Sequence, residues 1–232
     1  MPITEPEHWK KRLNELEKAA LKAGRKPAKI KVIAVTKKFD LGLIRKAWDY
    51  GFRHFGENRV SEAINKKHEL RRTELKKANW HMIGHLQSKK ARKVVGEFVL
   101  IHSVDRSSLI QELSKRVRMM GETQPILLQV NVSGEKSKYG AAPDQAPALV
   151  KDILKSGPLD LQGLMTMAPW TDDEKILRGT FAACRRLRDE LEERFDIQLP
   201  ELSMGMTNDF SQAMQEGATI LRLGRFLFGE RP

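Results

Sequence analysis

The stretch Ile30-Lys31-Val32-Ile33-Ala34-Val35-Thr36-Lys37-Lys38 decides the fold. Residues 30–36 are rich in β-branched side chains, the mark of a strand buried on both faces of a parallel sheet. The residues just past the strand separate two architectures. An open doubly wound sheet of the dinucleotide-binding kind wants a glycine-rich turn after its first strand. Here the strand runs into Thr36-Lys37-Lys38. Upstream, Trp9, Leu13, Leu16 and Ala20 recur at helical spacing and predict a helix over 8–23, closed by Gly24.

Downstream the two periods alternate. Strands are predicted at 52–58, 80–84, 98–104, 125–132, 159–167, 199–204 and 218–223. Helices are predicted at 41–50, 60–77, 87–95, from an Asp105 cap to Met120, 143–155, along Leu177–Phe195, and 210–216. Alternation at this spacing implies parallel βαβ units. Eight such units close into a (β/α)₈ barrel, an architecture of about 250 residues. No Pro/Gly/Ser linker, repeat or low-complexity segment divides the chain. The expectation is one α/β domain over residues 1–232, a parallel eight-stranded barrel with an extra N-terminal helix.

Composition narrows the function. A single cysteine, Cys184, excludes internal disulfides and thiolate clusters, and its helical setting makes it a packed residue. His54, His68, His81, His85 and His102 show no metal-ligand spacing. No apolar run approaches a membrane span and no signal sequence opens the chain, so a cytoplasmic protein is expected. The net charge of +12 raises nucleic acid as a partner. Much of the excess lies in two clusters, Lys66 to Lys77 and Lys89 to Lys93, on helical patterns that are ordinarily solvated. Aromatics make up 6% of the chain, few for stacking on bases, so nucleic acid is not expected as a partner.

In such barrels chemistry gathers at the C-terminal ends of the strands, and phosphate often binds the loops after strands seven and eight. Those loops read Ser203-Met204-Gly205-Met206-Thr207-Asn208-Asp209 and Arg222-Leu223-Gly224-Arg225. Both carry glycines. Ser203 and Thr207 offer hydroxyls, and Thr207 and Asn208 can open a helix whose free N–H groups favour an anion. Lys37 at the mouth of strand one is partly desolvated, which favours the neutral amine that attacks carbonyls. Taken alone, Lys37 and Lys38 read as a solvated pair opening a loop. A ligand with an aldehyde and a phosphate satisfies both ends of the mouth, and pyridoxal 5′-phosphate is such a ligand. Arg222, if it faces the pyridine nitrogen, opposes protonation there and weakens the ring as an electron sink.

The segments Ala34-Val35-Thr36-Lys37, Phe55-Gly56-Glu57-Asn58, residues 80–87, Gln129-Val130-Asn131-Val132-Ser133, Gly163-Leu164-Met165-Thr166-Met167, Leu202-Ser203-Met204-Gly205-Met206 and Arg222-Leu223-Gly224 resemble the pyridoxal phosphate homeostasis proteins, the YggS/PROSC family. The matches are in order and cover nearly the whole chain. The resemblance implies a barrel like the N-terminal domain of alanine racemase. It implies Lys37 as the lysine of the internal aldimine, Asn58 near the cofactor, and Arg222 at the pyridine nitrogen. Ser203, Thr207, Gly224 and Arg225 fall at the phosphate. Arg225 stands where the family more often has a small hydroxyl residue, and Asn208 and Phe210 replace part of a commoner acidic stretch. The family has no firmly assigned reaction. It is thought to carry or buffer pyridoxal phosphate and to influence amino-acid and keto-acid balance. The partners so implied are the cofactor and pyridoxal phosphate-dependent apoenzymes, with a monomeric chain.

Three other functions are weighed. A two-base racemase needs a second acid/base opposite Lys37. In the alanine racemases it comes from another domain of a partner subunit, for which this chain leaves no residues, and His81 and His85 are the in-chain candidates. A Schiff-base aldolase needs a supporting carboxylate, for which Glu57 is the nearest, though it reads more simply as a loop residue. An RNA-binding protein rests on net charge alone. The loop Lys136-Ser137-Lys138-Tyr139-Gly140 is expected at the mouth as a mobile segment.

Overall fold

The computed structural model describes residues 6–135 and 137–230. Eight parallel strands form a closed barrel in sequential order, β1 (Lys31–Val35), β2 (His54–Glu57), β3 (Asn79–Met82), β4 (Leu100–Val104), β5 (Gln124–Gln129), β6 (Leu159–Met165), β7 (Glu201–Ser203) and β8 (Ile220–Leu223). Closure is made by β8 against β1, with Lys31 opposite Ile220 and Ala34 opposite Leu223. The expected (β/α)₈ barrel is therefore the fold. Met1 to Glu5, Lys136, Arg231 and Pro232 lie outside the described residues, so expectations that fall on them, including part of the mouth loop, are not addressed.

Each strand buries both faces because its alternate side chains enter two different cores. Ile33, Val35, Leu100, Leu127, Met165 and Ile220 meet in the lumen. Ala34, Phe55, Ile101, Leu128, Leu164 and Leu221 point outward into the layer beneath the helices. That outer layer is covered by α1 (Pro6–Lys22), α2 (Leu41–Tyr50), α3 (Val60–Leu70), α4 (Ser107–Met120), α5 (Ala146–Ser156), α6 (Glu174–Phe195) and the short α7 (Phe210–Gln215) and α8 (Arg225–Phe228). Asp40 caps α2, its carboxylate accepting from Leu43 N–H at 2.8 Å. Asp173 caps α6 through Lys175 and Ile176 N–H at 2.8 and 3.3 Å. None of the helices over the described residues is long and apolar enough to cross a membrane.

The N-terminal helix fastens the end of the chain. Trp9 is buried, its indole N–H donates to Leu227 O at 2.9 Å, and its ring meets Tyr50, Phe52 and Phe228 edge-on. Three local expectations are corrected. The helix expected over 60–77 ends at Leu70. A 3-10 turn, Glu74–Lys77, comes next, because the Thr73 hydroxyl takes Leu75 N–H and competes with continued helix. The helix expected over 87–95 is a 3-10 segment, Ser88–Lys93, with no side-chain cap. Asp105 does not cap α4. Arg106 occupies that position, and the Asp105 carboxylate accepts from Arg106 Nη1 at 2.5 Å instead.

Candidate functional site

A cavity of about 310 Å³ opens at the C-terminal ends of the strands. Its wall includes Lys37, Asn58, Thr207, Arg222, Gly224 and Arg225, with Ile83, Met165 and Met167 as apolar lining. Ser203 is the one expected site residue outside this wall. It is fully buried below the floor.

Lys37 stands two residues past the end of β1 and is half-buried. The turn that carries it is held under constraint. Lys38 adopts φ 66°, a left-handed conformation uncommon for residues other than glycine. Its N–H is fixed by Glu62 Oε1 at 2.5 Å. Behind the turn lies a buried ionic network. Lys66 Nζ donates to Thr36 O, Glu57 Oε1 and Glu62 Oε1, each at 2.8 Å, and Thr36 Oγ1 donates to the same Glu57 oxygen at 2.7 Å. All three ammonium protons are thus used on the end of β1 and its neighbours. Burial pushes the Glu57 carboxyl above its ordinary range, against the lowering effect of Lys66 and Thr36. Its other oxygen, Oε2, is buried without a partner among the described residues.

This network corrects two expectations. Glu57 is not a loop carboxylate available to an aldolase. It is the last residue of β2 and is shut away from the cavity by Lys66. Lys66 is not on a solvated face, although its cluster neighbours Arg71, Arg72, Lys76 and Lys77 are. The sequence held the signal, since Val60, Ala63, Lys66 and Leu70 fall on one helical stripe and all four are buried.

Asn58 comes directly after β2 and reaches the cavity because its backbone packs directly on Gly84. A Cβ at Gly84 would lie 2.3 Å from Asn58 O, so only glycine permits that approach. On the opposite side, Thr207 and Asn208 do not open a helix. They form a turn that ends at Asp209, and α7 begins at Phe210. Asp209 Oδ1 holds Met206 N–H at 2.5 Å, and burial raises its carboxyl. Thr207 Oγ1 accepts from Phe226 N–H at 3.2 Å and joins the two loops. At Gly224 an added Cβ would meet Val35 O only at 3.5 Å, an ordinary contact. The barrel itself leaves room there, and that room belongs to the cavity. The Arg225 guanidinium is at the exposed rim, over the Trp170 ring at 5.5 Å and 3.6 Å from Glu230.

Arg222 forms the floor. Nη1 donates to Ser203 O at 2.6 Å and Ser203 Oγ at 2.7 Å, and Nη2 donates to Thr166 O at 2.8 Å. Three of five N–H donors are thereby spent on protein. Burial lowers its pKa to about 10, so the guanidinium stays charged at neutral pH.

The histidines are scattered in the sequence, yet three of them form a hydrogen-bonded column through the lumen. His54 Nδ1 meets His81 Nε2 at 3.0 Å, His81 Nδ1 meets His102 Nε2 at 3.0 Å, and His102 Nδ1 meets Ser203 Oγ at 2.9 Å. Burial pushes His81 down to about 3 and His102 well below its ordinary value. Both are neutral at physiological pH. His85 stacks on Tyr139, with ring centroids 4.0 Å apart, and is 3.6 Å from Asp105. Neither His81 nor His85, the in-chain candidates for a second base, is on the cavity wall. From the mouth loop, Lys138 lines the cavity and donates to Ala168 O and to Glu135 at 2.7 Å.

The chain matches the alanine racemase N-terminal domain family over residues 8–232. It is 39% identical over 219 residues to the pyridoxal phosphate homeostasis protein of Aquifex aeolicus, covering 94% of this chain and 95% of that one. PipY of Synechococcus elongatus, solved with pyridoxal phosphate bound, is 38% identical with a TM-score of 0.82, covering 92% of this chain and 99% of that one. An alanine racemase of Clostridium difficile in complex with cycloserine shares the fold at a TM-score of 0.75 and 14% identity. The match covers 96% of this chain and 60% of the racemase.

Proposed function

This chain belongs to the pyridoxal phosphate homeostasis proteins, within the alanine racemase N-terminal domain family, and on that premise we propose that it binds pyridoxal 5′-phosphate on Lys37 and serves as an intracellular carrier or buffer of the cofactor. The observation that carries the reading is one cavity walled by a lysine after β1 and by the loops after β7 and β8. Its volume suits a single small ligand. The cofactor, when bound, supplies an aldehyde that condenses with a primary amine, releasing water as the Schiff base forms.

The chain's own residues divide the remaining work. Lys37 provides the amine, on a turn braced by Glu62 and Lys66. Thr207 and the main chain at Gly224 and Arg225 surround the phosphate, and the Arg225 guanidinium screens its charge from the rim. Asn58 borders the ring. Arg222, a fixed cation with donors to spare, would face the pyridine nitrogen and oppose its protonation, which would blunt carbanion chemistry. Ser203 contributes by fixing Arg222 rather than by touching phosphate. Two features support holding over turnover. The arginine damps the electron sink, and among the described residues no histidine stands on the wall to move a substrate proton. Pyridoxal phosphate-dependent apoenzymes are the recipients in this reading.

The visible spectrum tests it. Wild-type protein with added pyridoxal phosphate is expected to show a yellow band that borohydride bleaches, leaving the cofactor covalently fixed at Lys37. Lys37→Ala is expected to lose the band and the adduct while keeping its far-UV circular dichroism. A colourless wild type at millimolar cofactor overturns the proposal.

A further inference from the structure

The lumen of a barrel of this kind is ordinarily filled by branched aliphatic side chains. Here a polar column interrupts that packing. It starts at the N-terminal rim with His54, the first residue of β2, and crosses to His81 on β3 and His102 on β4. It then spans the lumen to Ser203 on β7 and Arg222 on β8. His81, His102 and Ser203 are each no more than 1% exposed. Such a column carries the cost of burying polar groups, and the proposed binding chemistry at Lys37 does not by itself require it.

The column has one direction, and Arg222 sets it. A guanidinium can only donate. Its Nη1–H occupies one lone pair of Ser203 Oγ. The serine proton then needs an acceptor, and His102 Nδ1 is the remaining partner among the described residues. His102 therefore carries its proton on Nε2 and donates to His81 Nδ1. His81 in turn donates from Nε2 to His54 Nδ1. One arginine thus selects the same tautomer in three histidines. The lower end is wetter. His54 is half-buried and faces Lys31 of β1, Glu201 of β7 and His81 of β3, with Lys31 paired to Glu201 at 3.1 Å and Thr219 Oγ1 donating to Glu201 at 2.6 Å. A second proton on His54 occupies Nδ1 and ends its acceptance of the His81 N–H. The column then loses its lower anchor.

We propose that His102, His81 and His54 are positioning residues for Arg222, forming a one-way hydrogen-bond column through which the protonation state of His54 at the far rim bears on the pocket floor. The consequence for the ligand rests on the proposed placement of pyridoxal phosphate above Arg222; the column itself does not.

Two measurements separate these levels. In cofactor-free protein at pH 7.5, ring ¹⁵N spectra are expected to show all three histidines as neutral Nε2–H tautomers, with His102 losing that single signature in Ser203→Ala. A His102 proton on Nδ1, or a cationic His81 or His102, overturns the column. Burial and the nearby Lys31 hold His54 below its ordinary value, so in loaded protein the affinity for pyridoxal phosphate is compared between pH 8 and about pH 4.5 in wild type, His54→Gln and His54→Ala. The glutamine carbonyl accepts from His81 as neutral His54 does, yet takes no proton. His54→Gln is therefore expected to show a pH dependence about tenfold shallower than wild type. His54→Ala is expected to bind about tenfold more weakly at both pH values. Every other titrating group is common to all three and cancels in the comparison. Identical pH profiles in wild type and His54→Gln overturn the coupling. If none of the proteins binds the cofactor, the functional reading fails while the ¹⁵N result still decides the column.

Discussion

The residue on which most local order depends is Lys66. It ties the carbonyl of Thr36, directly before Lys37, to two glutamates. Lys66→Met removes the cation and leaves Glu57 buried and unpaired, and breaking a buried pair in this way costs roughly 3–5 kcal/mol. Urea denaturation measures it. The double variant Lys66→Met with Glu57→Gln is expected to recover part of the loss, because the stranded charge is gone. Lys37 and the two mouth loops were legible in the sequence, since strand ends and turn residues mark them. Lys66 was hidden inside a basic cluster in which Arg71, Arg72, Lys76 and Lys77 are exposed. The histidine column was hidden for a different reason. His54, His81 and His102 are 27 and 21 residues apart. Only the stagger between adjacent strands brings their rings together.

Among elements, the long helix α6 shows how much rests on a single side chain at its start. Asp173→Ala removes both cap bonds and is expected to cost about 1 kcal/mol, read as a fall in Tm, whereas Asp173→Asn retains most of it. β1 was readable because both of its faces carry apolar, mostly β-branched side chains. The crossover between β3 and β4 was not. Its apolar spacing, with Ala91, Val94 and Val95 buried, is that of a helix, but the segment winds as 3-10. Periodicity alone does not distinguish a short α-helix from that tighter winding.

For the molecule as a whole, the column makes stability depend on acid. In the unfolded chain a histidine binds a proton below about pH 6.5. His81 in the folded barrel does not do so until about pH 3, and His102 resists as well. Below the unfolded value the unfolded state therefore holds more protons than the folded barrel, and stability falls as the pH is lowered. Glu57 and Asp209, with carboxyls raised by burial, act in the opposite sense: their stabilisation is complete below their ordinary values of 4.5 and 3.8 and is lost as the pH rises through the raised folded values. The midpoint of urea unfolding is therefore expected to drop steadily from pH 7 to pH 5, and to drop less in His81→Phe if that variant folds. The sheet order was legible because strand and helix signals alternate along the whole chain. The bond that fastens the seam was not, because it joins groups far apart in sequence. The bond from the Trp9 indole to Leu227 O spans 218 residues, and beside it β8 delivers Arg222 and Gly224 to the mouth that Lys37 entered at the end of β1. A ribosome makes β1 and Lys37 well before β8. Lys37 leaves the exit tunnel early, while the far wall of its pocket has not yet been translated. A nascent chain thus exposes a lysine without a pocket, and the wall of the proposed site is complete only once β8 and the loop after it have been made.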